Sequence, residues 1–243
     1  MNFILDLLFP IQCLGCGQEE NFTPRLLEKN NGQNIYSAKK GAGFICPACF
    51  EKIPLDPKII YFKQSPLIGL MTVSSYKHPL LKEAIRRYKY DFVKGLAKPL
   101  AQLLVIGMRG SPPFWGAAPH SSFLLVPVPL HQKRLRWRGF NQAELLAQEI
   151  SQALNIPLIN NVLKRVRHGL AQAQIKNSQE REKNVKEAFA LGALGSDPYE
   201  GLTLTTIILI DDISTTGATL KECARVLKKA GAQKIWGLVL AKG

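Results

Sequence analysis

Ile207-Ile208-Leu209-Ile210-Asp211-Asp212-Ile213-Ser214-Thr215-Thr216-Gly217-Ala218-Thr219 is the stretch on which the fold and the chemistry of this chain turn. Its four leading aliphatic residues predict a strand buried on both faces, as in the interior of a parallel sheet. Two carboxylates follow at the C-terminal end, the edge where open α/β sheets hold ligands. Small hydroxyl residues around one glycine come next, directly before a helical pattern. Backbone N–H groups at a helix N-terminus bind anions, and Gly217 lets the backbone approach a phosphate closely. The hydroxyls of Ser214, Thr215, Thr216 and Thr219 can donate to phosphate oxygens, with Ala218 the small residue between them. Asp211 and Asp212 alone would repel a phosphate. They fit as acceptors from sugar hydroxyls, or as holders of Mg²⁺ against a polyphosphate. A diol next to a phosphate is what ribose 5-phosphate presents. The plainer alternative, two solvated loop acids beside threonines that only cap a helix, accounts poorly for the length and order of the motif.

Outward from this stretch the chain alternates strand-like and helix-like segments. A helix is predicted from about Thr219 to Lys229, closed by Gly231, and a last strand over Lys234 to Leu240. On the N-terminal side Leu67 to Tyr76 and Phe123 to Pro129 predict strands, and Pro129 must end the second. From Pro79 to Leu104 apolar residues recur at steps of three and four, which predicts one or two amphipathic helices. Asn141 is a fitting N-cap for a helix through Leu145, Leu146 and Ile150. Ser178 to Ala188 predicts a basic helical stretch, and Gly110–Ser122 and Gly192–Gly201 predict loops. The alternation predicts an α/β fold: a mostly parallel sheet with helices on both faces.

Residues 1 to about 56 form a separate compositional unit, with Pro54 and Pro57 at its border. It carries Cys13-Leu14-Gly15-Cys16 and Cys46-Pro47-Ala48-Cys49 around a polar insert of 29 residues. A Cys-x-x-Cys pair presents two thiolates from one turn, and two pairs can close a tetrahedral Zn²⁺ site. The insert exceeds the ~15–20 residues of a compact ribbon, so it is expected to be irregular. A redox dithiol is the rival reading; two pairs favour a structural metal at Cys13, Cys16, Cys46 and Cys49. Cys223 is expected to be a core residue.

Basic residues cluster in three further stretches. His131, Lys133, Arg134, Arg136 and Arg138, followed by Gly139-Phe140-Asn141-Gln142, lie between a strand and a helix start, where guanidinium groups could clamp a diphosphate. Arg165, Arg167, His168, Gln172, Gln174, Arg181, Asn184 and Lys186 form a second stretch, and Arg86-Arg87-Tyr88-Lys89-Tyr90 a third. Each alone could be a solvated face; their combination carries more.

The Ile207–Thr219 stretch resembles the phosphoribosyl pyrophosphate loop of type I phosphoribosyltransferases. That resemblance implies that Asp211 and Asp212 bind the ribose hydroxyls and that Thr215 to Thr219 cradle the 5-phosphate. Val126-Pro127-Val128-Pro129-Leu130-His131, Arg138-Gly139-Phe140-Asn141-Gln142-Ala143, and Gln174 with Arg181 and Asn184 together resemble the ComF/GntX family. There a type I phosphoribosyltransferase domain follows a module of Cys-x-x-Cys pairs. Tyr88-Lys89 matches a further family position, and the resemblance covers nearly the whole chain. It implies two domains, 1–56 zinc-ribbon-like and 57–243 phosphoribosyltransferase-like. It places the pyrophosphate loop at Arg134 to Asn141, with Arg134, Arg138, Gly139, Asn141 and Lys89 as candidates. Leu163 to Phe189 would be a flap closing over the site, with Arg181 joining Asp211 and Asp212 as a charge-stabilising catalytic residue. Implied cofactors are Mg²⁺, with phosphoribosyl pyrophosphate, and structural Zn²⁺. Implied partners are that ligand or a ribose phosphate, single-stranded DNA and DNA-uptake proteins on the cytoplasmic side.

Composition is compatible with both an enzyme and a binding module. The 243 residues are 46% hydrophobic and 21% charged, which excludes disorder for most of the chain. A formal charge of +14 favours an anionic partner: polyphosphate, nucleic acid or a phospholipid surface. No stretch reaches the ~18–20 apolar residues that span a bilayer. Met1 to Pro10 predicts a short amphipathic helix rather than a signal peptide, so a cytoplasmic location is expected. Interleaved aromatics suited to base stacking are few: Trp137, Phe140, Tyr88 and Tyr90. The acceptor and the oligomeric state have no sequence signature.

Overall fold

The computed structural model describes residues 12–18, 44–109, 122–167, 185–192 and 205–243. Its strands are β1 (Lys58–Tyr61), β2 (Gly69–Ser75), β3 (Phe123–Pro127), β4 (Leu163–Arg165), β5 (Phe189–Leu191), β6 (Thr206–Ile210), β7 (Ile213–Ser214) and β8 (Lys234–Lys242). Its helices are α1 (Pro47–Phe50), α2 (Pro79–Tyr90), α3 (Ala97–Arg109), α4 (Gln132–Arg138), α5 (Gln142–Leu154) and α6 (Ala218–Lys229).

The main sheet has the order β1-β2-β8-β6-β3, and β7 pairs with the end of β8. Strands β2, β8, β6 and β3 run parallel, and β1 returns antiparallel on β2. The most aliphatic strands take the inner lanes: Ile207 to Ile210 of β6 are completely buried between β8 and β3. Such strands need cover on both faces, and they have it. On one face α2, α3 and α5 bury Leu81, Leu100, Leu104, Leu146 and Ile150 against Met71, Leu125, Ile208 and Leu238. On the other, α6 lays Leu220, Cys223, Ala224 and Leu227 over Leu70, Ile207, Leu209 and Val239, beside the antiparallel pair β4–β5. The rim at β3 is closed by irregular chain: the Leu125 N–H donates to the Pro157 carbonyl (2.8 Å), and the Leu125 carbonyl accepts from the Ile159 N–H (3.0 Å).

The expected strands are present, trimmed or extended by a residue or two. The periodic stretch after Pro79 resolves into two helices, because Phe92 at φ 59° breaks the first and a 3₁₀ turn at Lys94–Leu96 starts the second. Asn141 is the N-cap of α5, its Oδ1 accepting the Ala143 N–H at 3.2 Å. One expectation is corrected: the basic segment after His131 is helical, not a loop. The His131 imidazole caps its start and Gly139, at φ 76°, ends it with its N–H on the Leu135 carbonyl. The helical reading of Ser178–Ala188 falls largely on residues 178–184, outside the described residues. Its described end is a turn leading into β5. Met1–Pro10, the inter-cysteine insert and most of the two predicted loops also lie outside them.

The segments bearing the cysteine pairs do not carry a core of their own among the described residues. Cys13, Ile45, Cys46, Cys49 and Ile53 belong to the same buried cluster as α2 and α3.

Candidate functional site

At the C-terminal edge of β6 the chain turns through Asp211 and Asp212 before pairing again as β7. Each carboxylate is oriented by the next backbone amide. Asp211 Oδ1 accepts the Asp212 N–H (2.9 Å), and Asp212 Oδ1 accepts the Ile213 N–H (2.7 Å). The pair therefore stands rigidly at the centre of the sheet edge. Burial, then the neighbouring Asp212 charge, push the Asp211 carboxyl up from 3.8 to about 7. Lys89, the Asp212 amide and Arg165 oppose that rise.

Lys89 comes from the last turn of α2. Its Nζ lies 2.8 Å from Asp212 Oδ1, with the two side chains 20% and 7% exposed. Burial pulls the ammonium down, but the Asp212 and Asp211 carboxylates more than compensate, so its net shift is upward. Arg86 and Arg87 of α2 are otherwise engaged. Arg86 bridges Glu83 and Asp91, and Arg87 pairs with Glu83. Tyr88 is fully buried and donates to the Gln142 carbonyl at 2.9 Å.

Helix formation after His131 sorts that basic run by face. Lys133 and Arg136 are exposed, whereas Arg134 and Arg138, one turn apart, are partly buried, Arg138 within reach of the Asp212 and Asp211 charges. Arg165 of β4 joins them through a bridge between His131 and Arg165. Burial pulls the guanidinium pKa values of Arg134, Arg138 and Arg165 below the ordinary arginine range. Like charge from Arg134 adds to this at the other two; Asp212, Tyr90 and Asp211 partly offset it at Arg138, and Cys223 and Asp211 at Arg165. The Nε atoms of Arg138 and Arg165 are buried and meet no acceptor among the described residues. Buried guanidinium groups crowded together are costly unless an anion joins them.

On the other side of the acids, Gly217 is the N-cap of α6 at φ 78°, with no side chain to cap the helix. Ala218 donates its N–H to Thr216 Oγ1 at a long 3.3 Å. Ser214 is buried and its carbonyl accepts the Gly243 N–H. The Phe62 ring closes over this turn: a Cβ at Gly217 would meet its Cζ at 3.3 Å, and Lys221 Nζ sits 4.6 Å from the ring centre. A cleft of about 750 Å³ runs from there, lined by Lys63, Lys186, Lys221 and Arg225 among others.

The structure thus gathers Asp211, Asp212, Lys89 and Arg138 into one site, with Arg134 beside Arg138 and Arg165 and with Ser214 to Thr219 continuing from it. Gly139 and Asn141 serve as backbone devices: a helix stop, and a cap whose Nδ2 also holds the Val128 carbonyl at 3.0 Å. Arg181, Gln174 and Asn184 lie outside the described residues, and Arg167 is paired with Glu187 on the surface. Two site residues lacked a specific sequence signal. Arg165 was one cation in a basic run, and its role depends on a strand register. Phe62 reaches the turn through a long-range contact.

The cysteine pairs meet as expected. The four Sγ atoms lie within 4.8 Å of one another, with Cys16 and Cys46 sulfurs 3.9 Å apart. A tetrahedral Zn–S site with bonds of about 2.3 Å has sulfur–sulfur edges of about 3.8 Å, so the donor set fits Zn²⁺. Cys13 Sγ accepts the N–H of Cys46 (3.2 Å) and of Gly15 (3.4 Å). Burial acts to raise the Cys13 thiol, but these backbone donors, with that of Cys16, win and lower it to about 7. Burial and the neighbouring thiols push Cys49 up to about 12.

This sheet order, with acids and a phosphate-type turn at one edge, defines a phosphoribosyltransferase-like fold, and residues 141–243 match the family model of the phosphoribosyl transferase domain. The chain is 32% identical to Competence protein F of Haemophilus influenzae, over 86% of this chain and 94% of that one. DNA utilization protein YhgH of Escherichia coli shares 30% identity, covering 79% and 76%. Competence protein ComFC of Bacillus subtilis shares 28%, covering 90% and 89%. The chain belongs to the ComF family.

Proposed function

We propose that this protein binds phosphoribosyl pyrophosphate, or a related ribose phosphate, with Mg²⁺ at the β6 edge and transfers its phosphoribosyl group, in a role in DNA uptake. The observation that carries this reading is the carboxylate pair held between a helix N-terminus whose N-cap is a glycine and partly buried arginines, of which Arg138 and Arg165 keep orphaned Nε donors. Asp211 and Asp212 accept from the ribose hydroxyls, and the Thr215–Thr219 turn holds the 5-phosphate. Arg134, Arg138, Arg165 and Lys89 face the diphosphate. The C1–O bond to pyrophosphate breaks as positive charge develops on the ribose, a nucleophilic atom of the acceptor substrate forms the new bond to C1, and the departing pyrophosphate oxygens take their charge to the guanidinium groups. Asp211 and Asp212 are also the residues that would hold Mg²⁺ against the diphosphate, where the ion would neutralise part of its charge. Arg181 would reach the same charge from the flap. No protein nucleophile is required. Residues 1–56 form the zinc module and 57–243 the transferase-type domain. The role in DNA uptake is carried over from relatives named for competence and DNA utilization.

Calorimetry tests the site: the metal-loaded protein should bind phosphoribosyl pyrophosphate with Mg²⁺. Asp211→Asn combined with Asp212→Asn should abolish that binding while the fold persists. Unchanged affinity in the double variant would refute the assignment. Pyrophosphate release across a panel of bases then separates an enzyme from a binder.

A second reading is supported by a specific observation. Trp137 and Phe92 pack edge to face at 4.9 Å and are both exposed, and the Arg138 guanidinium lies 5.8 Å from the rings of Trp137 and Tyr90. Rings and cations side by side suit stacked bases and phosphates, so a module for single-stranded DNA without turnover is the alternative. Binding of oligonucleotides that survives Asp212→Asn but fails with Trp137→Ala would favour it.

A further inference from the structure

We infer that the four-thiol site is a positioning device for the β6 site: metal bound by Cys13, Cys16, Cys46 and Cys49 fixes helix α2, and α2 fixes Lys89 against Asp212. This goes beyond the ligand reading above and rests on it only for the meaning of the affinity measurement.

The contact at the start of α2 is tight. A Cβ built at Gly15 would fall 2.6 Å from Cys49 Sγ and 3.2 Å from Leu80 Cδ2. The first cysteine turn, a thiol of the second and the opening turn of α2 therefore touch at one point. Leu80 packs there, and Leu81, Ala84, Ile85 and Tyr88 continue along α2 within the same buried cluster as Cys13, Cys46 and Cys49. A second grip lies beyond the other end. A Cβ at Gly95 would stand 2.5 Å from the Phe44 ring, and the Phe44 carbonyl accepts the Leu14 N–H at 2.9 Å. The cysteine-bearing segments thus hold α2 at its first turn and the 3₁₀ turn that follows its last.

What α2 delivers is equally definite. Lys89 meets Asp212 at 2.8 Å. Tyr88 bonds the Gln142 carbonyl and lies 5.6 Å from the Phe140 ring, itself approached by Lys94 Nζ at 5.4 Å. Phe140 and Gln142 flank the junction between α4 and α5, next to Arg138. A helix of this length spans about 18 Å. A shift at its first turn is transmitted as a rigid body, because side chains along it are packed without slack. The link between zinc and ligand is therefore a chain of packed contacts with an oriented ion pair at its end.

The metal supplies what the thiols lack. Four sulfurs this close resist ionising together, and a dication holds them while tying both cysteine turns to one point. Without it, among the described residues, the two turns are joined by the Leu14–Phe44 backbone hydrogen bond, by the Cys46 N–H on Cys13 Sγ and by packing within the shared buried cluster.

Hydrogen exchange on the full chain, metal-loaded and then stripped with a chelator, tests the coupling directly. Amides of α2 and of Lys94–Leu96 should exchange about tenfold or more faster after stripping, while those of α5, β3 and β6 keep their protection. Unchanged protection in α2, or equal loss throughout the chain, overturns the proposal. Calorimetry with phosphoribosyl pyrophosphate and Mg²⁺ should show affinity falling about tenfold or more on stripping. Leu80→Ala should keep about one zinc per chain yet loosen α2 and weaken ligand binding, and Leu80→Met should restore both. Weaker binding in Leu80→Ala with α2 still protected would count against a positioning role. If the loaded wild type binds no phosphoribosyl pyrophosphate, the ligand reading fails, while the exchange experiment still decides the coupling.

Discussion

The Asp211 carboxyl carries the most consequential titration in the site. Its value near 7 means that the folded chain holds this proton where the unfolded chain has already lost it. Between about pH 4 and pH 7 the native state binds more protons, so this group's contribution to stability declines as pH rises through that window and levels off above it. Asp211→Asn should flatten that part of the stability–pH curve, read by thermal melts across pH 4–8. A second expectation concerns binding: a ligand needing the ionised carboxylate expels the proton, so calorimetric heats at pH 6 should vary with buffer ionisation enthalpy. Arg165→Ala should weaken a diphosphate ligand about 10- to 100-fold, the range of one charge-assisted hydrogen bond, with little change in melting temperature. An equal affinity would remove Arg165 from the site. Asp211 and Asp212 could be identified from sequence because adjacent acids after an aliphatic run have few other uses. Arg165 could not be told from Arg167, since one faces the acids and the other Glu187 only because of how β4 pairs.

At the scale of elements, local chemistry predicted well where one residue decides a boundary. Asn141 is such a residue, capping α5 and also tying down the Val128 carbonyl at the end of β3. Asn141→Ala should cost about 1–2 kcal/mol through the lost cap, measurable by chemical denaturation. It should also weaken ligand binding, because the turn carrying Arg138 loses its anchor. Helix α4 was misjudged because its seven residues have no apolar stripe and none is buried; it exists through its caps, His131 and Gly139. Gly217 shows the opposite case. Its closeness to a phosphate could be read from a glycine before a helix, but neither its left-handed backbone nor the Phe62 ring above it could. Gly217→Val should reduce stability by roughly 1–2 kcal/mol from the backbone alone and blunt phosphate binding, with the two effects separable by melting and calorimetry.

For the whole molecule, the alternating pattern was enough to foresee a parallel sheet covered on both faces, because each aliphatic strand and amphipathic helix states its own burial. What pattern could not supply is which separate segments share a core. The compositional break near Pro54 is real, yet Ile45, Cys49 and Ile53 are buried with α2 and α3. Long-range contacts of that kind leave no local trace. The charge of +14 also belongs to this scale. Affinity for any polyanionic ligand should fall as salt rises, with the slope of log affinity against log salt reduced in Arg134→Ala. A flat response would detach the surplus charge from binding.

The chain laid along β3 has a bearing on assembly. An exposed strand is a ready template for a neighbouring copy, through its row of free amides and carbonyls. Here Leu125 has spent both its groups on Pro157 and Ile159, so at that point the flank is stoppered from within the same polypeptide. A second copy would therefore find no free backbone group at Leu125 with which to continue the sheet.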